Sequence, residues 1–126
     1  MRLLLDSHAL HWTVLEPGKL RSGTVEVLTD PANTVYFSAV SLWELAIKRA
    51  KGRFNFDDGE MLEAIERQRF DEIPVLTRHG LEAASLPPHH ADPFDRMLIA
   101  QARLEGLTLV TTDRQFWRYR VLLMEA

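Results

Sequence analysis

Cysteine is absent from the 126 residues, which excludes a disulfide scaffold, thiolate metal sites and a cysteine nucleophile. Lysine is almost as scarce: Lys19, Lys48 and Lys51 are the only three, and arginine carries the rest of the positive charge. Arginine is the better group for bidentate contacts to phosphate or carboxylate, although arginines that simply stay solvated are the plainer reading. No apolar run nears the ~18–20 residues of a membrane helix. The longest are short, such as Leu3-Leu4-Leu5 and Val121-Leu122-Leu123-Met124. A lysine-bearing phosphate loop and a dinucleotide-binding glycine fingerprint are both missing, which argues against nucleoside triphosphate or dinucleotide chemistry. Met1-Arg2 leads directly into Leu3 and Asp6, leaving no room for a signal peptide. The expectation is a cytoplasmic protein with no membrane association.

What is present is ordinary for a globular chain: 46% hydrophobic and 26% charged residues, with a net charge of −3. A mildly acidic balance does not advertise general nucleic-acid affinity. The length suits one domain, residues 1–126.

Apolar runs alternate with segments of helical period. Arg2–Leu5, Thr34–Phe37, Glu72–Leu76, Leu107–Val110 and Arg120–Met124 read as strands. Helical segments lie between them. The first runs through Ala9–Val14 and is broken by Pro17-Gly18, and the second spans Leu20–Leu28. In Leu42–Arg49 the residues Leu42, Leu45, Ala46 and Arg49 share a face, and Gly52 supplies a cap. In Asp57–Arg69 the inner residues are Met61, Leu62 and Ile65. Thr77–Ser85 ends at Leu86-Pro87-Pro88, and Pro93–Leu104 is ended by Gly106. This alternation predicts a three-layer α/β/α fold around a mostly parallel sheet of about five strands.

Open α/β sheets bind ligands beyond the carboxyl ends of their strands. Asp6 follows the first strand, and Thr111-Thr112-Asp113 follow the fourth. Glu44 lies early in the helix after the second strand, and Asp92 and Asp95 open the Pro93 helix. Gathered at one edge, such acids repel one another and are costly without cations. Their hard oxygens suit Mg²⁺ or Mn²⁺. With such ions a site can activate water and stabilise the leaving oxygen of a phosphodiester. Each acid also has a local reading. Asp6 can cap the helix after it, and Asp113 a short terminal turn. Ser41-Leu42-Trp43-Glu44 fits a capping box, and Asp92-Pro93-Phe94-Asp95 nearly does, with Pro93 at the first helical position. Asp92 is the acid best left as a cap.

Four segments carry a resemblance that runs end to end and in order. Leu4-Leu5-Asp6-Ser7-His8-Ala9-Leu10 resembles the opening of the PIN-domain ribonucleases of VapC-like toxins. Ser38-Ala39-Val40-Ser41-Leu42-Trp43-Glu44 resembles their second acidic motif. His90-Ala91-Asp92-Pro93-Phe94-Asp95-Arg96, continuing to Ala102, is similar to the DPFDR-type third motif, the most specific of the four. Leu109-Val110-Thr111-Thr112-Asp113 resembles the fourth. The resemblance implies an Mg²⁺- or Mn²⁺-dependent endoribonuclease, the toxin of a type II toxin–antitoxin system. It also implies RNA as substrate, a cognate antitoxin protein as partner, and a homodimer. Its acids fall here on Asp6, Glu44, Asp95 and Asp113, with Thr112 at a position where the family often has a hydroxyl. Ser7 stands where the commoner first motif has Thr, which keeps the hydroxyl.

Several other residues have two readings. Arg96 pairs with a neighbouring acid or grips a phosphate. Trp12 and Trp43 belong to the core or wall a groove for a partner helix. Arg114, Arg118 and Arg120 guide RNA or are merely solvated. His8 and His11, and His89-His90, invite zinc, but nothing completes a ligand set. Two rival functions remain: a phosphotransfer module, receiver-like or aspartate-phosphatase, and a catalytically dead nuclease-fold binding protein. Asp6-Ser7-His8 lacks the phosphatase Asp-x-Asp, and no lysine follows Lys51. The presence of all four acids argues against the dead nuclease.

Overall fold

A computed structural model describes residues 1–126. Its five strands are β1 (Arg2–Leu5), β2 (Thr34–Ser38), β3 (Asp71–Ile73), β4 (Thr108–Thr111) and β5 (Leu123–Glu125). They pair in the order β3-β2-β1-β4-β5, every pair parallel. Six helices cover the sheet: α1 (Ser7–Leu15), α2 (Ser22–Thr29), α3 (Ala39–Ala50), α4 (Asp58–Arg67), α5 (Thr77–Ser85) and α6 (Pro93–Glu105). Short 3₁₀ turns occupy Pro17–Lys19 and Arg114–Arg118. No helix is long and apolar enough to cross a membrane.

The strand period of two assigns the leucines of β1 to opposite faces. Leu3 and Leu5 join a core with residues of α1, α2, α3 and α4, including Leu10, Leu28, Leu45, Met61 and Ile65. Leu4 joins a second core with Leu98, Ile99 and Ala102 of α6, and Phe116. All three leucines are fully buried. Each such side chain contributes about 1.5–3 kcal/mol through the apolar area it removes from water. A central strand buried on both faces reads as a continuous apolar run, the pattern seen at Leu3-Leu4-Leu5.

Chain order places β2 on one side of β1 and β4 on the other. The β1–β4 boundary is therefore where the winding reverses, and the loops leaving these strands diverge to opposite faces of the sheet and leave a crevice. The backbone N–H of Asp6 donates to the Val110 carbonyl at 3.0 Å, so β1 stays paired with β4 up to the mouth of that crevice.

The expected α/β/α architecture is present, with local corrections. The third strand is Asp71–Ile73 rather than Glu72–Leu76, because Pro74 has no amide hydrogen to continue the ladder. Val75 and Leu76 are exposed. The last strand is Leu123–Glu125, shifted from Arg120–Met124 by the 3₁₀ turn and bend that precede it. Helix α3 begins at Ala39, and Ser38 caps it by accepting from the Val40 N–H at 3.2 Å. Ser41 is thus inside the helix, so the capping box expected from Ser41 and Glu44 does not form. On α4, Met61 and Ile65 face inward while Leu62 is 57% exposed. Trp43, for which the core is one of two sequence readings, is 62% exposed and meets Phe94 edge-on at 5.1 Å. At the end of α6, Gly106 holds φ +67°, a left-handed conformation that a side chain disfavours.

These placements predict unequal costs of truncation. Leu98→Ala, at a fully buried site, should lower unfolding free energy by about 2–5 kcal/mol. Leu62→Ala should stay within about 0.5 kcal/mol. Urea titrations followed by circular dichroism measure both, and comparable losses would mean that Leu62 is packed.

Candidate metal centre

Each acid reaches the crevice through the local structure that positions it. Asp6 follows β1 and caps α1, its Oδ1 accepting the Ala9 N–H at 2.8 Å. Asp113 follows β4 and caps the 3₁₀ turn, its Oδ1 accepting the Gln115 N–H at 2.9 Å. Asp92 caps α6 by accepting from Phe94 at 2.8 Å and Asp95 at 3.4 Å. The missing N–H of Pro93 costs nothing at that position. Asp95 stands in the first turn of α6, and Glu44 lies in the second turn of α3.

These five acids line one cleft of about 440 Å³, together with Ser7, His8, Trp12, Lys48, His90 and Thr112. Two groups of candidate ligand atoms within 4.8 Å of one another occur in it: Glu44 with Asp92 and Asp95, and His90 with Asp95 and Asp113. Asp95 is common to both. Asp6 opens on the same cleft but belongs to neither group. Asp92, read from sequence as a cap and at most an auxiliary of the site, is a cap that also faces the other acids.

Burial sets the electrostatics. Asp6 is 5% exposed, and its carboxyl is pushed up to about 6. Desolvation dominates, the Thr111 hydroxyl and the Ala9 N–H pull it back, and Glu44 and Asp113 add repulsion. Asp95 is pushed up to about 8, first by desolvation and then by Asp92, Glu44, Asp6 and Asp113 in turn. Glu44, 3% exposed, has an internal counter-ion: Lys48 Nζ lies 2.8 Å from its Oε2, and the Ser7 hydroxyl donates to its Oε1. The donor set is therefore hard oxygen, crowded and short of positive charge. That is the arrangement a small divalent cation relieves.

Four contributors have roles that the sequence does not assign them. Lys48 is discoverable from its i,i+4 spacing to Glu44. His90 stands two residues before Asp92. Ser7 reads in the sequence only as a motif variant. Thr111, fully buried, is the hydroxyl beside Asp6, and its Oγ1 also accepts the Asp113 N–H at 3.0 Å. Thr112 is exposed and lines the cleft without these contacts.

Arg96 requires a correction. It neither pairs with an acid nor turns toward the cleft. Its guanidinium donates to the carbonyls of Ala83 at 2.9 Å, Leu86 at 2.7 Å, Pro87 at 2.9 Å and His90 at 3.3 Å. It is a clamp on the α5–α6 connection. The basic trio Arg114, Arg118 and Arg120 is exposed.

Acids raised above their unfolded values bind more protons in the native state, so stability falls as pH rises from the unfolded value through the native one. His8 and His11 are pushed down by burial, and their titration in the unfolded chain, centred near pH 6.5, is largely complete only above about pH 7.5. In chelator, the melting temperature should therefore fall between about pH 7.5 and about pH 8.5, where Asp95 dominates. The fall should be smaller in Asp95→Asn. Equal slopes in both proteins would show that Asp95 titrates normally.

Comparison with known proteins gives three results. The family model of the PIN domain matches residues 3–122. Ribonuclease VapC22 of Mycobacterium tuberculosis is 27% identical over 121 residues, covering 94% of this chain and 92% of that protein. Among solved structures, VapBC2 from Rickettsia felis, bound to a DNA fragment from its promoter, superposes with TM-score 0.75 at 18% identity. That match spans 100% of this chain and 99% of the other. VapBC-5 of Mycobacterium tuberculosis, a member of the VapBC family of toxin–antitoxin systems, gives TM-score 0.60 at 18% identity, covering 98% and 96% of the two chains.

Proposed function

The chain belongs to the PIN-domain family, and from that premise we propose that it is a divalent-metal-dependent endoribonuclease acting as the toxin of a type II toxin–antitoxin pair. The observation that carries this reading is the convergence of Asp6, Glu44, Asp92, Asp95 and Asp113 on one cleft at the reversal of the sheet. The resemblance to a protein named as a ribonuclease favours RNA as substrate. The likeness to a VapBC complex favours a small protein antitoxin as partner.

In this proposal Asp95 is the principal ligand for Mg²⁺ or Mn²⁺, since it belongs to both groups of close ligand atoms. Glu44, Asp92, Asp113 and Asp6, which line the same cleft, would complete the ligand set. A bound cation would supply the charge that activates water and stabilises the leaving oxygen of a phosphodiester. The protein's own groups do the rest. Lys48 offsets the charge of Glu44, so the acids do not simply repel the phosphate. Thr111 and the α1 N-terminus fix the orientation of Asp6. The exposed Arg114, Arg118 and Arg120, beside Asp113, meet the RNA backbone and offset the net negative field of the cleft.

The purified protein should cleave a mixed RNA pool in Mn²⁺ and not in EDTA. Asp95→Asn and Asp6→Asn should each lower the rate by at least about a hundredfold, more than loss of an outer-sphere partner costs, with far-ultraviolet circular dichroism unchanged. Cleavage that survives either EDTA or Asp95→Asn would contradict the proposal, as would a folded wild-type protein that cuts no RNA.

A further inference from the structure

His90 is the imidazole in direct contact with two of the acids. Its Nε2 lies 2.9 Å from Asp95 Oδ2 and 3.0 Å from Asp113 Oδ2. Its Nδ1 accepts the Asp92 N–H at 3.2 Å. A ring nitrogen that accepts cannot carry the hydrogen, so the hydrogen is on Nε2, where it is donated to Asp113 and lies beside the Asp95 carboxyl. The main chain that carries the ring is also held. The His90 N–H donates to the Tyr119 hydroxyl at 2.8 Å, and that hydroxyl donates to the Pro87 carbonyl at 2.8 Å. Arg96 holds the His90 carbonyl together with three carbonyls before it. The imidazole packs against buried Phe116 with centroids 5.8 Å apart.

We infer that His90 is a positioning residue of the acidic centre: its Nε2–H ties Asp95 of α6 to Asp113 after β4 and keeps both carboxylates at ligand spacing, without itself binding the cation. This rests on the metal-dependent reading above. Three roles are open to an imidazole in such a place, and the geometry separates them. A ligand needs a bare Nε2, but moving the hydrogen to Nδ1 would aim it at the Asp92 N–H. A competitor that fills the cation's place must swing away on binding, whereas here Tyr119 and Arg96 fix the main chain of His90 and Phe116 packs against its ring. A fixed donor remains. It gives two mutually repelling carboxylates a common partner, and the other lone pairs of Asp95 stay free for a cation. It also accounts for Arg96 and Tyr119, neither of which touches an acid: both hold the segment that carries His90.

The test measures Mn²⁺ binding by the loss of the free-ion electron paramagnetic resonance signal. His90→Phe keeps a ring and removes the donor, and His90→Gln restores an N–H near the same point. His90→Phe should weaken Mn²⁺ binding by about tenfold or more, as outer-sphere partners do, and His90→Gln should recover most of the loss. The pulsed resonance spectrum of wild-type protein with Mn²⁺ should show no coupling to a directly bound nitrogen, a readout that requires no variant to fold. A bound-nitrogen coupling would make His90 a ligand and overturn the inference. Unchanged or tighter binding in His90→Phe would overturn it too, the tighter result identifying a competitor. Asp95→Asn separates the two levels. Wild-type binding that disappears in Asp95→Asn but is indifferent to His90 defeats the inference alone. Wild-type protein that binds no Mn²⁺ defeats the metal reading and the inference together.

Discussion

Carboxylates desolvated side by side repel one another, and the region around the β1–β4 boundary is organised against that repulsion. Asp95 has the strongest opposition to ionisation, with burial and four neighbouring acids all acting in the same direction. A fold tolerates such a group only if compensation is built around it. Lys48 answers Glu44, the Thr111 hydroxyl and the Ala9 N–H answer Asp6, and the His90 Nε2–H answers Asp113 with Asp95 at its side. The compensation is incomplete, and the remaining deficit of positive charge is what makes the cleft receptive to a cation.

The same backbone features that end the strands also supply part of the compensation. Asp6 and Asp92 each sit at a helix N-terminus, where unpaired N–H groups and the helix dipole favour negative charge. Capping and cation binding are therefore compatible in one residue, because a cap occupies one carboxylate oxygen and leaves lone pairs free. Asp92 shows this directly. Its Oδ1 receives both backbone N–H groups, yet it remains within ligand distance of Glu44 and Asp95. On the far side of the centre, Arg96 directs its donors to main-chain carbonyls. Its place directly after Asp95 links α6 to the segment that presents His90.

Much of this is legible in the amino-acid order alone. The alternation of apolar runs and helical segments yields the layered sheet, and topology identifies the residues immediately after β1 and β4 as ligand candidates. The errors have physical origins. Periodicity locates the inner face of a helix only loosely, so it puts Leu62 inside, and leaves Trp43 a core reading, although α4 and α3 hold them in solvent. Ser38 and Ser41 are equally good capping residues in composition, and the end of β2 decides for Ser38. Pro74 shortens the third strand even though the apolar pair Val75-Leu76 argues for extending it. Arg96 misleads because an arginine next to an aspartate suggests a pair, whereas side chains adjacent on a helix point in different directions. The His90 contacts with acids on separate elements depend on packing that no local pattern encodes, whereas the spacing of Lys48 from Glu44 is a usable sign.

The central claim is that this cleft, and Asp95 above all, holds a divalent cation. Anomalous diffraction from crystals grown with Mn²⁺ tests it most directly. The account predicts a single strong peak or a close pair in the cleft, with an Asp95 carboxylate oxygen about 2.1–2.2 Å away, as hard oxygen ligands bind such ions. Anomalous density confined to the outer surface, with Asp95 bare at saturating Mn²⁺, would contradict it.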